Sequence, residues 1–289
     1  MTSSLVGSEM CIRDRYRKEA TGTLDDAQLR TLYERLLYLR NLEEKKEQVL
    51  ASIEEQGKLT EDLKKQILAA ETLVVVEDLY RPYRPKRRTR ATIAKEKGLE
   101  PLAALITLQK ADKPVETYAL EYVNSEKEVA TAKEAVDGAK DIIAESVSDE
   151  ADYRSWIRKA TMQKGKVISQ AKDEKAESVY EMYYDFEEPV SKLAGHRVLA
   201  LNRGEKEKFL NVKIEAPQED IIRYLEKKMI HGNNPYTTPI LQEVAEDSYK
   251  RLIAPAIERE IRSELTEKAE DGACLLYTSP SPRDSTSSR

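Results

Sequence analysis

DDAQLRTLYERLLYLRNLEEKKEQVLASIEEQG, residues 25–57, decides how the rest of the chain is read. Leu29, Leu32, Leu36 and Leu39 recur at alternating spacings of three and four, and the same phase resumes at Leu50 and Ile53 after the polar run Glu43–Gln48. That period puts one apolar stripe on one face of an α-helix. Asp25 is placed to N-cap it, with Gln28 at the capping-box position and Leu24 against Leu29 as a hydrophobic staple. Gly57 is placed to end it. Thr60 then caps a second helix to about Ala70, and so short a turn predicts an antiparallel helical hairpin.

Outward from the hairpin the pattern stays helical. A short helix is expected at Leu73–Tyr80, then others near 90–97, 100–110, 114–123, 126–148, 149–163 and 218–230. A last long one at 238–271 should kink or restart at Pro255. Leu210, Val212 and Ile214 alternate as a strand does, with Lys166–Ser169 as the candidate partner. The fold class is therefore mainly α: an elongated array of helices and helical hairpins with at most a tiny two-stranded β element. With 10 Gly and 11 Pro in 289 residues, the chain has too few turn-formers for a sandwich or barrel. Its longest aliphatic runs, such as Leu73–Val76, are far short of the roughly 20 residues that span a bilayer, so no membrane partner is expected.

Catalytic chemistry has little to stand on. His196 and His231 are the only histidines, and they fall in no metal-ligand or triad spacing. His196 reads as a cap or core-edge residue at a helix start, and His231 as surface. No phosphate-cradling glycine motif occurs. We therefore expect no catalytic residue, no metal, no cofactor and no enzymatic activity.

Residues 81–90, RPYRPKRRTR, differ from everything around them. Pro82 and Pro85 break the helical pattern and predict an extended connector. Six of the ten residues are cationic in a chain of net charge -5. Arg81, Arg84, Lys86, Arg87, Arg88 and Arg90 could fork onto phosphates, and Tyr83 could stack on a base, which makes these seven the candidate nucleic-acid-binding residues. A strap paired to acids of neighbouring helices accounts for the same composition equally well. The aromatic cluster Tyr180, Tyr183, Tyr184 and Phe186 could stack bases too, but fits a core better.

The two ends read differently from the rest. Glu9–Asp14 and Cys274–Ser279 can be written as opposite strands of one DNA segment, and they resemble a translated sequencing-library adapter. Residues 1–15 and 274–289 are expected to be non-native tails. They hold both cysteines, so the stretch 16–273 has no thiol, as expected of a cytoplasmic protein. Without the tails, 44 bases face 50 acids.

Three stretches carry a family resemblance: Tyr16–Gly22 (YRKEATG), Glu77–Ala103 (EDLYRPYRPKRRTRATIAKEKGLEPLA) and His196–Glu205 (HRVLALNRGE). They are similar to the N-terminal region of the Tex-like, S1 RNA-binding-type bacterial transcription accessory proteins. The resemblance implies a helical, cytoplasmic factor that meets RNA or DNA and the transcription machinery. It also implies an order in which this helical region precedes a ribonuclease H-like YqgF domain, helix-hairpin-helix repeats and an OB-fold. On that pattern the chain divides into an N-terminal helical region 16–123 with the connector 81–90, a middle helical subdomain 124–236 with minor β, and a long kinked helix 237–273 leading toward the YqgF domain. The nucleic-acid affinity of such a fragment should be weak. The rival expectation is a protein-interaction scaffold without RNA affinity; a part in a YqgF-type nuclease is a third.

Overall fold

The helix read from 25–57 runs Asp26–Glu55 (α1) in the computed structural model, which describes residues 26–85, 88–124, 129–173 and 177–278. Leu24 and Asp25, the expected staple and cap, lie outside the described residues. At the other end Gly57, at φ +66°, lets the chain fold back: its N–H donates to Glu54 O at 2.8 Å and Lys58 N–H to Ile53 O at 3.2 Å. These two bonds satisfy carbonyls that the end of the helix leaves open. Thr60 Oγ1 then accepts from Leu63 N at 3.3 Å and starts Glu61–Ala69 (α2), and Thr72 caps Leu73–Tyr80 (α3).

Contacts divide the chain into two units, residues 1–83 and 84–289. In the first unit Leu42, Val49, Ile53, Leu63, Ile67, Ala70 and Val76 form the core. From α1 the buried members all come from the C-terminal half, with Tyr38 packing at their edge. Leu32, Leu36 and Leu39, expected on the buried stripe, are 60%, 43% and 41% exposed. Length is the reason: α1 has 30 residues while α2 and α3 have 9 and 8, and at about 1.5 Å per residue the short helices cannot cover the long one. Lys46, from the polar run, is buried at that seam and donates to Leu68 O at 3.0 Å, satisfying a carbonyl at the end of α2.

The second unit runs from Arg90–Glu96 (α4) through Glu100–Leu108 (α5), Val115–Ala119 (α6), Ala132–Asp149 (α7) and Ala151–Lys164 (α8). Then come Lys166–Ala171 (β1), Asp185–Pro189 (β2), Gly195–Lys206 (α9), Leu210–Glu215 (β3), Gln218–Met229 (α10), Thr238–Asp247 (α11) and Ala254–Thr278 (α12). One core extends from Ala91 to Ile261. The divisions read at 123/124 and 236/237 fall inside it, because the Gly232-Asn-Asn-Pro235 segment marks a turn rather than a domain edge. Asn234 pins that turn: its Nδ2 donates to the Gln109 and Ala111 carbonyls at 3.0 and 2.9 Å, and its Oδ1 accepts from Tyr236 N at 2.9 Å.

The sheet corrects the expectation of two strands. Among the described residues it has three, in the order β2-β1-β3, all antiparallel, with Val167 opposite both Glu188 and Ile214. The pair β1 and β3 was legible. The missed strand β2 is DFEEP, an edge strand whose apolar content is Phe186 and whose last residue is Pro189, so it carries no alternation to read. The last helix restarts where expected, through a π-helical stretch at Ser248–Ile253. Pro255 has no N–H and its ring crowds the carbonyl four residues back; the wider turn relieves this, and Ala254 N–H bonds Tyr249 O instead.

Candidate nucleic-acid interface

The connector is not extended at its start, as its prolines had suggested. Arg81–Tyr83 forms one 3-10 turn directly on the end of α3. Pro82 fits there because the first turn needs no N–H from it. Two hydrogen bonds hold this turn to α1: the Ser52 and Tyr80 hydroxyls lie 2.9 Å apart, and Gln56 Nε2 donates to Tyr83 O at 2.9 Å. Arg81 is half-buried. Tyr83 is half-buried as well and packs on the first unit's core, so packing already engages its ring.

Arg84 begins the second unit and is exposed, and Lys86 and Arg87 lie outside the described residues. Thr89 caps α4 with a reciprocal box to Thr92, which fixes the exposed Arg88 and Arg90 at a helix start. Arg88 Nη2 meets Glu96 Oε2 at 2.9 Å with the two side chains 70% and 54% exposed. A pair so open to water is weak, under about 1 kcal/mol, and yields readily to a phosphate. Arg84 and Arg90 have no ion-pair partner among the described residues. The candidate cations are thus carried at the end of one unit (Arg81) and the beginning of the next (Arg84, Arg88, Arg90).

The other candidate residues settle as follows. Tyr180 and Tyr183 are buried, with Tyr183 meeting Phe186 at 5.3 Å between ring centroids, so that cluster is core. His196 and His231 are both exposed; His196 makes no capping bond at the start of α9. Among the described residues no three His, Cys, Asp or Glu side chains are grouped to hold a metal, and no helix is long and apolar enough to cross a membrane. Sequence reasoning missed the pairing of Trp156 with Tyr224, whose rings stack although 68 positions separate them. The signal that could have drawn attention to it is that Trp156 is the chain's one tryptophan, on a helix with a lysine three places on.

Comparison with known proteins decides the family. Residues 110–276 match the model of the Tex central region, and residues 14–54 match that of the Tex-like protein N-terminal domain. The chain belongs to the Tex family. YdcI of Bacillus subtilis is 52% identical over 91% of this chain and 37% of its own length. The transcriptional accessory protein Tex of Neisseria gonorrhoeae is 46% identical over 71% of this chain and 27% of its own length. The human S1 RNA-binding domain-containing protein 1 is 29% identical over 91% of this chain and 28% of its length. The chain thus spans about a quarter to two fifths of these relatives.

Proposed function

We propose that this Tex chain is a nucleic-acid-associated helical scaffold that acts in transcription in the cytoplasm, and that its connector contacts RNA or DNA through phosphates. The observation that carries the reading is that Arg84 and Arg90 are exposed without ion-pair partners among the described residues, while Arg88 has only a water-exposed one. The names of its relatives, a transcriptional accessory protein and an S1 RNA-binding domain-containing protein, support the same direction. We read the role as binding rather than catalysis, since both histidines are exposed and lie in no metal-ligand or triad spacing.

A few isolated phosphate contacts give weak, sequence-independent binding, in the range of about 1–100 µM at physiological salt. Fluorescence anisotropy of a labelled single-stranded RNA, with wild type and the Arg84→Gln/Arg88→Gln/Arg90→Gln variant at low salt, tests the assignment. A several-fold loss of affinity with an unchanged melting temperature is expected. Equal affinities would remove the connector from the interface.

A second reading, a protein-interaction scaffold without RNA affinity, is favoured by one feature. Leu32, Tyr33, Leu36, Leu37 and Leu39 leave an apolar face of α1 open to solvent. Undetectable RNA binding by wild type would favour that reading instead.

A further inference from the structure

Trp156 lines a cleft of ≈ 490 Å³ between α8 and α10, wholly within the second unit. Its indole stacks on Tyr224 with centroids 3.8 Å apart and planes 6° from parallel, and Tyr153 meets the Tyr224 ring edge-on at 6.1 Å. The stack occupies one face of the indole, yet Trp156 remains 37% exposed. A large apolar ring left open beside a cleft is a platform for another flat ring.

The charge around the platform is lopsided. Lys159, Lys164, Arg223 and Lys227 line the cleft against a single carboxylate, Asp220. Lys164 takes that carboxylate at 2.7 Å and holds it below the usual Asp range, while Arg223 stands 3.9 Å from its other oxygen. Lys159 and Lys227 have no ion-pair partner among the described residues. At the far end of the stack, burial and then the charge of Glu150 push the Tyr153 phenol up. Burial and then Asp152 and Glu150 push the Tyr224 phenol up as well, so acids flank the hydroxyl side of the stack, while the cleft lining itself carries four cations against Asp220.

We propose that this cleft binds single-stranded nucleic acid, stacking one base on Trp156 and holding the adjoining phosphates with Lys159, Arg223 and Lys227. A base is a flat partner for the exposed part of the indole, and guanidinium and ammonium groups within the same cleft match the charge that follows each base along a strand. A duplex cannot use the platform, because its bases are already stacked. The proposal rests on the chain being nucleic-acid-associated, but on residues distinct from the connector.

Trp156 is the chain's one tryptophan, so its fluorescence reports on this cleft alone. In the full chain, a short uridine oligonucleotide should quench it saturably, with the same midpoint as anisotropy of the labelled strand. Uridine monophosphate at equal concentration should not, because one phosphate neutralises too few cations to hold it at that concentration. Lys159→Gln/Arg223→Gln/Lys227→Gln should abolish the quenching without moving the melting temperature. Trp156→Ala should weaken anisotropy-detected binding about ten- to a hundredfold, with Trp156→Phe recovering part of it. The connector variant should keep the quenching, at a shifted midpoint. Oligonucleotide binding seen by anisotropy with no change in tryptophan emission would overturn the cleft and leave the connector standing. Quenching that is equal for the monophosphate would make this a site for a free nucleotide and overturn the proposal. No binding by either readout would overturn both assignments.

Discussion

Arg154 is the largest fully buried side chain among the described residues. Its guanidinium pairs with Glu260 from α12, whose second oxygen accepts from Arg158 Nη2 at 2.7 Å and Nε at 3.1 Å. The sequence shows Arg154 and Arg158 four apart on a helix, as many surface arginines are. Glu260 stands 106 and 102 positions away, so no local pattern announces these contacts. Removing one member of a buried ionic group costs far more than its net worth, because the others stay desolvated. Glu260→Ala should therefore lower stability by about 3 kcal/mol, the low end of the range, since Glu260 is itself one-third exposed. Urea unfolding checks this; a loss under about 1 kcal/mol would mean that water reaches Arg154 once the acid is gone.

At the scale of elements, periodicity found the first helical hairpin and its turn, because Gly57 and Thr60 do locally what such residues do anywhere. It could not say which stretch of an apolar face finds a partner. That depends on the lengths of α2 and α3, and so α1 has a buried half and an open half on sequences that look alike. Leu42 is 2% exposed and Leu32 is 60% exposed. Leu42→Ala should cost about 2–5 kcal/mol by opening a cavity in the first core, whereas Leu32→Ala should change stability by no more than about 0.5 kcal/mol. Thermal melts of the two variants separate the cases. A large loss from Leu32→Ala would show that the open face is covered in solution. The strand β2 escaped reading for the opposite reason: an edge strand with one aromatic side chain is recognisable only through the ladder it makes with β1.

For the whole molecule, the formal charge of -5 conceals where the cations are. Composition located the connector because its charges are consecutive. It could not locate the Trp156 cleft, whose cations come from two helices and meet only when α8 and α10 pack. Nor could it tell a phosphate contact from an internal strap, since that turns on whether acids lie within reach; Arg88 has one, Glu96, in the open, and Arg84 and Arg90 have none among the described residues. The central claim is that these arginines neutralise phosphates, and each phosphate neutralised on a single strand releases counterions and adds about 0.7 to the slope of log affinity against log salt. The most direct measurement is that slope, from anisotropy titrations of a single-stranded RNA over a series of salt concentrations, for wild type and for Arg84→Gln/Arg88→Gln/Arg90→Gln. The account predicts a variant slope shallower by roughly two units with folding intact. Identical slopes, or a variant that unfolds while the wild type never bound RNA, would contradict it and make the connector a structural strap.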